Sequence, residues 1–307
     1  MHALGRQNER MRRIAILYPG GLGSALGRAF VGVGHGVLTF VADRSEATRS
    51  RALAAGFQVA ASLTEIARES DVIVSLVPPG AAIETARSLG ACLADNGVST
   101  RMARRPVFVE GNSVAPRTKL RIARILSQCG VRCVDGAFFG PANRVGRENL
   151  LGLSGPDYLE VADLFQEVIE VRAIGSTVGD AAALKMASTM LTKGLPALFL
   201  EIAGAAAKQG QLEAILSVLR KFYPGIVNFL ERTLPTYPAY VSRRKCELQE
   251  AVSWLDDIGQ CANMTRSAVT VFDSLQHTRL PGRNDWSFED LLSDLGSSGF
   301  LCASRPG

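Results

Sequence analysis

Residues 13–30, RIAILYPGGLGSALGRAF, read as a β-strand, a tight turn and the start of a helix. Ile14 to Leu17 are aliphatic, Pro19-Gly20-Gly21 breaks the run, and small and apolar residues then resume at helical spacing. Such a turn aims backbone N–H groups and the positive end of a helix dipole at the space above it, and glycines let an anion come close. A dinucleotide pyrophosphate is one such anion, held in strand–turn–helix units by a G-x-G-x-x-G spacing. Here the spacing is Tyr18-x-Gly20-x-x-Gly23, with Gly21 and Leu22 between the two glycines that remain. The first glycine is replaced by tyrosine, so the Tyr18 ring is expected to turn away from the phosphates.

Past the turn, residues 37–42 (VLTFVA) form an apolar β-rich run fit for a buried parallel strand. In a βαβ nucleotide unit an acidic residue at the end of this second strand takes the ribose hydroxyls of NAD, whereas arginine there accommodates the 2′-phosphate of NADP. Asp43 lies at the acidic position and is followed by Arg44, Ser45 and Arg49. The two arginines and the serine suit a phosphate dianion and favour NADP, with NAD the alternative. The plain alternative for Arg44 and Arg49 is a solvated helix start.

Helix and strand patterns then alternate. A helix at 47–55, a short strand at 58–60, a capped segment at 62–69 and a buried strand at 71–77 (DVIVSLV) precede Pro78-Pro79-Gly80. A helix at 81–94, a basic loop, a strand at 107–110, Gly111-Asn112-Ser113 and a helix opened by Pro116 follow. Further strands are expected at 131–135 and 150–154. This alternation gives a doubly wound parallel sheet over residues 13–176. Beyond 175–179 no strand pattern appears, and apolar-periodic stretches at 181–208, 212–232 and 242–275 give an all-helical second domain over 177–307. Residues 1–12 read as a flexible extension.

Composition narrows the function classes. The chain has 307 residues, 47% hydrophobic and 21% charged, which is the balance of an ordinary globular protein. Its net charge of +5 is spread along the chain without a dense basic run and interleaved aromatics, so nucleic acid is not an expected partner. The six cysteines form no C-x-x-C pair and are expected to be reduced thiols. With three histidines no metal site is expected. No leader sequence and no long uninterrupted apolar stretch is apparent, so the protein is expected in the cytoplasm and not in a membrane.

The segments YPGGLG, SLVPPG, EGNSVAP and GSTVGDAAALKMAST, in that order, resemble the β-hydroxyacid dehydrogenase and 6-phosphogluconate dehydrogenase superfamily. ADRSEATRSRALAAGF, VDGAFFGP, LKMASTMLTKGLPAL and RRKCELQEAVSWLDDIG are similar to its subgroup with a phosphogluconate dehydrogenase-like C-terminal domain. The resemblance implies a Rossmann-type domain followed by an all-α domain, a small-molecule substrate and a homodimer. It makes Lys185 the general acid/base. Thr189 stands where the family has asparagine, and Phe139-Gly140-Pro141 stands where it has the S-G-G that binds a substrate carboxylate. Gly111-Asn112-Ser113-Val114 likewise replaces the usual D-x-S-T.

Read from the residues alone, Lys185, Ser188, Thr189 and Thr192 form one polar stripe on an otherwise apolar helix. A lysine there loses hydration, which lowers its pKa toward the range useful for proton transfer; the alternative is a snorkelling surface lysine. Lys193 is either a second substrate contact or a surface charge. Strand ends line the ligand crevice of an open α/β sheet, so Val77 and Pro78 are expected near the nicotinamide ribose. Asn112 and Ser113 would bind cofactor or substrate, or else cap the Pro116 helix through an Asx-type turn. Arg144 or Arg147 would hold a substrate carboxylate or phosphate, or else be surface charges.

The leading expectation is an NADP-dependent oxidoreductase that passes hydride between nicotinamide and a small hydroxy-acid or carbonyl substrate. Imine reduction on the same fold and a noncatalytic NADP-binding protein are the alternatives.

Overall fold

The computed structural model describes residues 11–42, 44–94, 105–141, 145–146, 148–278 and 286–297. The chain divides into two compact units between Lys185 and Met186. The first unit therefore runs past the 175–179 boundary expected from sequence and takes in the start of the long helix.

The first unit contains β1 (Arg13–Leu17), α1 (Gly21–Gly32), β2 (Gly36–Thr39), α2 (Glu46–Ala54), β3 (Gln58–Val59), α3 (Leu63–Glu69) and β4 (Val72–Ser75). It continues with α4 (Ala82–Ala94), β5 (Val107–Glu110), α5 (Pro116–Ser127), β6 (Arg132–Phe139), β7 (Leu150–Ser154), α6 (Leu159–Gln166) and β8 (Glu170–Gly175). The eight strands form one sheet in the order β3-β2-β1-β4-β5-β6-β7-β8. The order reverses direction between β1 and β4, the switch point at which such sheets bind ligands.

Both faces of the sheet are covered, which explains the unbroken apolar runs of its central strands. Ile14, Ile16, Val72, Val74, Val107 and Val109 pack into one core, while Ala15, Leu17, Ile73 and Phe108 pack into another. That is the two-residue alternation of a pleated strand, with apolar residues on each side. On α1 the close-approach position is Gly27, where a Cβ would lie 2.0 Å from the Phe57 ring.

The sheet departs from the all-parallel expectation at one pair. β6 runs on to Phe139, four residues beyond its expected end, and β7 returns antiparallel to it. The connection between them is too short for a crossover helix, so the chain can only reverse. β8, which the sequence pattern did not suggest, pairs parallel with β7 at the sheet edge.

Helix α7 (Asp180–Lys208) crosses the division between the units. The second unit continues with α8 (Leu212–Phe222), α9 (Pro224–Thr233), α10 (Tyr237–Asp257), α11 (Asn263–Gln276) and α12 (Phe288–Ser297). Pro224 divides the expected 212–232 stretch into two helices, since proline lacks the N–H that would continue the first. Gly259, at φ +70°, separates α10 from α11 within the expected 242–275 stretch. Phe199, Leu200, Leu216, Leu230, Tyr237 and Phe272 lie in the core of this unit. By length and composition α7 could also cross a membrane. Its buried Ala197, Phe199, Leu200 and Ala203 instead belong to that core.

Candidate active site

The turn after β1 holds its shape through its own backbone. The Gly20 N–H donates to the Tyr18 carbonyl at 2.8 Å, and the Ser24 hydroxyl donates to the Pro19 carbonyl at 3.2 Å. Among the described residues no side chain caps α1 at Gly20. A Cβ on Gly20 would meet no atom within 4 Å, whereas one on Gly23 would lie 2.9 Å from the Tyr18 oxygen. The second glycine thus fits the helix against the strand, and the first leaves open space above an uncapped helix start. That combination fits a pyrophosphate held by the N–H groups of Gly21, Leu22 and Gly23.

Beside the turn, the Arg44 guanidinium lies over the Tyr18 ring, 3.9 Å from its centroid. Ser45 caps α2, its hydroxyl accepting from the Thr48 N–H at 3.4 Å, and Arg49 is exposed on the first turn of that helix. Arg51 donates to the Pro19 carbonyl at 3.3 Å and so ties α2 to the turn. Asp43 lies outside the described residues, as do Arg144 and Arg147.

At the ends of β4 and β5, Asn112 is a clamp between strands. Its side-chain carbonyl accepts from the Val77 N–H at 2.6 Å, its amide donates to the Ser75 hydroxyl at 3.0 Å, and its own N–H donates to Glu110 at 3.0 Å. Val77, expected near the nicotinamide ribose, and Asn112, expected at cofactor or substrate or in an Asx-type turn, are thus engaged with each other through these atoms. Pro78 is exposed and Ser113 half-buried beside them.

Sequence reading missed the charged cluster below this clamp. Glu110, Lys119 and Asp135, at 0% exposure, share one pocket of the interior. The Lys119 ammonium donates to the Glu110 carbonyl and to the Gly136 carbonyl at 3.1 Å, and lies 3.1 Å from the Asp135 carboxylate. Burial pushes Glu110 up to about 7; Lys119 and the bonds from Asn112 oppose that shift, and Asp135 adds to it. The second oxygen of Asp135 accepts from the Ser154 hydroxyl at 3.1 Å and from the N–H groups of Gly179 at 3.0 Å and Ala182 at 2.9 Å. The Ala181 N–H donates to the Ser154 hydroxyl at 3.0 Å. A buried carboxylate and the hydroxyl bonded to it thus take the N–H groups of Gly179, Ala181 and Ala182 at the start of α7, where the helix dipole favours negative charge.

Lys185 is carried one turn beyond that anchored start. It is half-buried, and its Nζ donates to the Phe138 carbonyl on β6 at 2.5 Å. The same ammonium lies 4.9 Å from the centroid of the Phe139 ring. After Phe139 the chain turns at Gly140, at φ +104°, where a Cβ would lie 2.7 Å from Asn149. Buried Asn149, also missed from sequence, donates to the Pro141 carbonyl at 2.9 Å and fixes this turn. The structure thus brings Lys185 and Phe139 together, with Gly140 completing the turn.

Thr189 and Lys193 belong to the second unit. The Thr189 hydroxyl is buried and has no hydrogen-bond partner among the described residues. Lys193 is not a surface charge: it is buried, its ammonium lies 3.0 Å from Glu247, and burial lowers its pKa against the pull of that carboxylate. Thr192, the last member of the polar stripe, donates to the Ser188 carbonyl at 2.8 Å within the helix.

Residues 13–175 match the NAD-binding domain of 6-phosphogluconate dehydrogenase. The chain is 29% identical over 185 residues to an uncharacterized 28.5 kDa protein of Methanothermus fervidus, covering 60% of this chain and 67% of that one. It is 25% identical over 130 residues to 3-hydroxyisobutyrate dehydrogenase of Pseudomonas aeruginosa, spanning 41% of its length. A Mycobacterium tuberculosis 3-hydroxyisobutyrate dehydrogenase solved with L-serine shares the fold at a TM-score of 0.71 and 19% identity, over 93% of this chain and 99% of that one. The fold is also that of a reductive aminase solved with NADPH (17% identity, TM-score 0.58) and of an imine reductase solved with NAD+ (15%, 0.57). The chain belongs to the β-hydroxyacid dehydrogenase and 6-phosphogluconate dehydrogenase superfamily of NAD(P)-dependent oxidoreductases.

Proposed function

We propose that the protein is an NADP-dependent oxidoreductase acting on a small hydroxy-acid or carbonyl substrate, with Lys185 as its general acid/base. One observation carries this reading: the Lys185 ammonium is fixed at the carboxyl end of β6 by the Phe138 carbonyl, on a helix whose start Asp135 anchors. The cofactor, when bound, supplies or accepts the hydride. The turn at Gly20 to Gly23 would hold its pyrophosphate, and Arg44, Ser45 and Arg49 its 2′-phosphate. Lys185 gives a proton to the substrate oxygen in reduction and removes it in oxidation. Phe139, Gly140 and Ser113 would border the substrate.

The proposal extends to assembly and location. Leu184, Leu191 and Leu198 are exposed at seven-residue spacing along α7, at 43%, 68% and 45%. A helix face of this kind is covered by another helix, and we assign it to a second copy of the chain. The five described cysteines are free thiols, in keeping with a cytoplasmic protein.

The experiment is NADPH consumption measured across a panel of carbonyl compounds, keto acids and imines, followed by Lys185→Ala on the substrate found. Loss of about a hundred- to ten-thousand-fold in turnover is expected. Turnover near wild type in the variant rejects the role of Lys185, and a preference for imines over carbonyls rejects the substrate class.

A further inference from the structure

Tyr18 stands where a dinucleotide-binding turn has glycine, yet its backbone does what the turn requires. Its carbonyl accepts from the Gly20 N–H, and Gly23 packs against that same oxygen. What the substitution adds is the ring. It is half-buried against the core that contains Leu17 and Leu38, and it carries the Arg44 guanidinium at 3.9 Å from its centroid.

The chemistry of that stack leaves Arg44 free to bind. A cation over an aromatic face uses the face of the guanidinium, whereas its five N–H donors lie in the guanidinium plane. Stacking therefore restrains a long, flexible side chain without spending a donor. Without the ring an exposed arginine at this position would sample many rotamers and lose that freedom on binding. The Arg44 backbone is already held, its N–H donating to the Val41 carbonyl at 3.2 Å. Arg44 follows the second strand, where nucleotide-binding βαβ units meet the adenosine ribose.

We propose that Tyr18 is a specificity-determining residue: by stacking under Arg44 it pre-organises the guanidinium for a ribose 2′-phosphate, so that it selects NADP over NAD. The proposal rests on the cofactor reading above and concerns a residue at which the chain departs from the glycine fingerprint. The ligand class is a 2′-phosphorylated adenosine, with or without the nicotinamide half. Pre-organisation acts on the 2′-phosphate alone, so loss of the ring should weaken NADPH and leave NADH unchanged.

The test is the dissociation constants of NADPH and NADH, with 2′,5′-ADP and 5′-ADP as fragments, for the full-length wild type and for Tyr18→Phe, Tyr18→Leu and Tyr18→Gly. Tyr18→Phe keeps the ring and should keep both affinities within about twofold. Tyr18→Leu and Tyr18→Gly should each lose about tenfold in NADPH and 2′,5′-ADP affinity, one decade or 1.4 kcal/mol, with NADH and 5′-ADP unchanged. Leucine retains a side chain of similar bulk, so its result stands even where glycine loosens the turn. A wild type that prefers NADPH while all three variants keep that preference overturns the role of Tyr18 and leaves the cofactor reading intact. Equal loss of both dinucleotides in the leucine variant overturns it too. A wild type that binds neither dinucleotide, or favours NADH, removes both.

Discussion

Lys119 and Asp135 set an ammonium and a carboxylate 3.1 Å apart at positions with no solvent exposure. The pair is costly to desolvate, and it is retained where Asp135 also closes the first turn of α7. Breaking such a pair from one side leaves an uncompensated buried charge. Lys119→Met should therefore cost about 3–5 kcal/mol of unfolding free energy, read by denaturant titration. A loss below about 1 kcal/mol would mean that Glu110 and Asp135 find other compensation.

The neighbouring carboxyl gives a pH dependence of definite sign. Burial raises Glu110 from 4.5 to about 7 in the folded state, so between those values the folded protein binds a proton that the unfolded chain has released. Stability from this group is complete below the lower value and is lost as pH rises through the upper one, on the order of 3 kcal/mol in all. Unfolding free energies between about pH 5 and about pH 8 should show the decline, and Glu110→Gln should flatten it. An equal slope in wild type and variant would rule Glu110 out as its source.

Two glycines, Gly20 at the N-cap of α1 and Gly27 within it, should separate stability from binding. Gly27→Ala drives a Cβ into the Phe57 ring and should destabilise by about 1–3 kcal/mol through overpacking. Gly20→Ala meets nothing and should change stability by less than about 0.5 kcal/mol. It should nevertheless weaken dinucleotide binding at least about tenfold, because the methyl takes the space offered to phosphate. Calorimetric titration with NADPH and thermal unfolding of both variants check the contrast.

The exposed leucines of α7 give a prediction on assembly. Leu191→Glu combined with Leu198→Glu should convert a dimer into a monomer at micromolar concentration, measured by sedimentation, with the circular dichroism spectrum unchanged. A wild type that sediments as a monomer would remove the second copy from that face.

The parallel core was legible because β1, β4 and β5 are buried on both faces and so appear as unbroken apolar runs. β8 was not: none of its residues is buried and it includes Glu170 and Arg172, so nothing in EVRAIG announces a strand. Lys185 was found through the resemblance and the polar stripe, and the structure adds its acceptor at Phe138. Lys119 escaped because it stands among Arg117, Arg121 and Arg124 on the Pro116 helix, and residue type alone does not single it out from those charges. Its spacing was the available signal, since Ala115, Lys119, Ile122 and Leu126 form one fully buried stripe. Asn112 has the residue type of a ligand and is consumed by a strand clamp, a distinction that only the placement of Val77 and Ser75 resolves.

The return of β7 against β6 bears on the order in which the sheet assembles. Phe139 meets Leu150 across a short connection, whereas Val72 must find Val107 and Val107 must find Arg132 with a helix between. Closing the shorter loop costs less chain entropy, and local pairings form sooner than distant ones. The β6–β7 ribbon is thus the segment of this sheet best suited to form first, with Asp135 and Ser154 already side by side before the helix they anchor arrives.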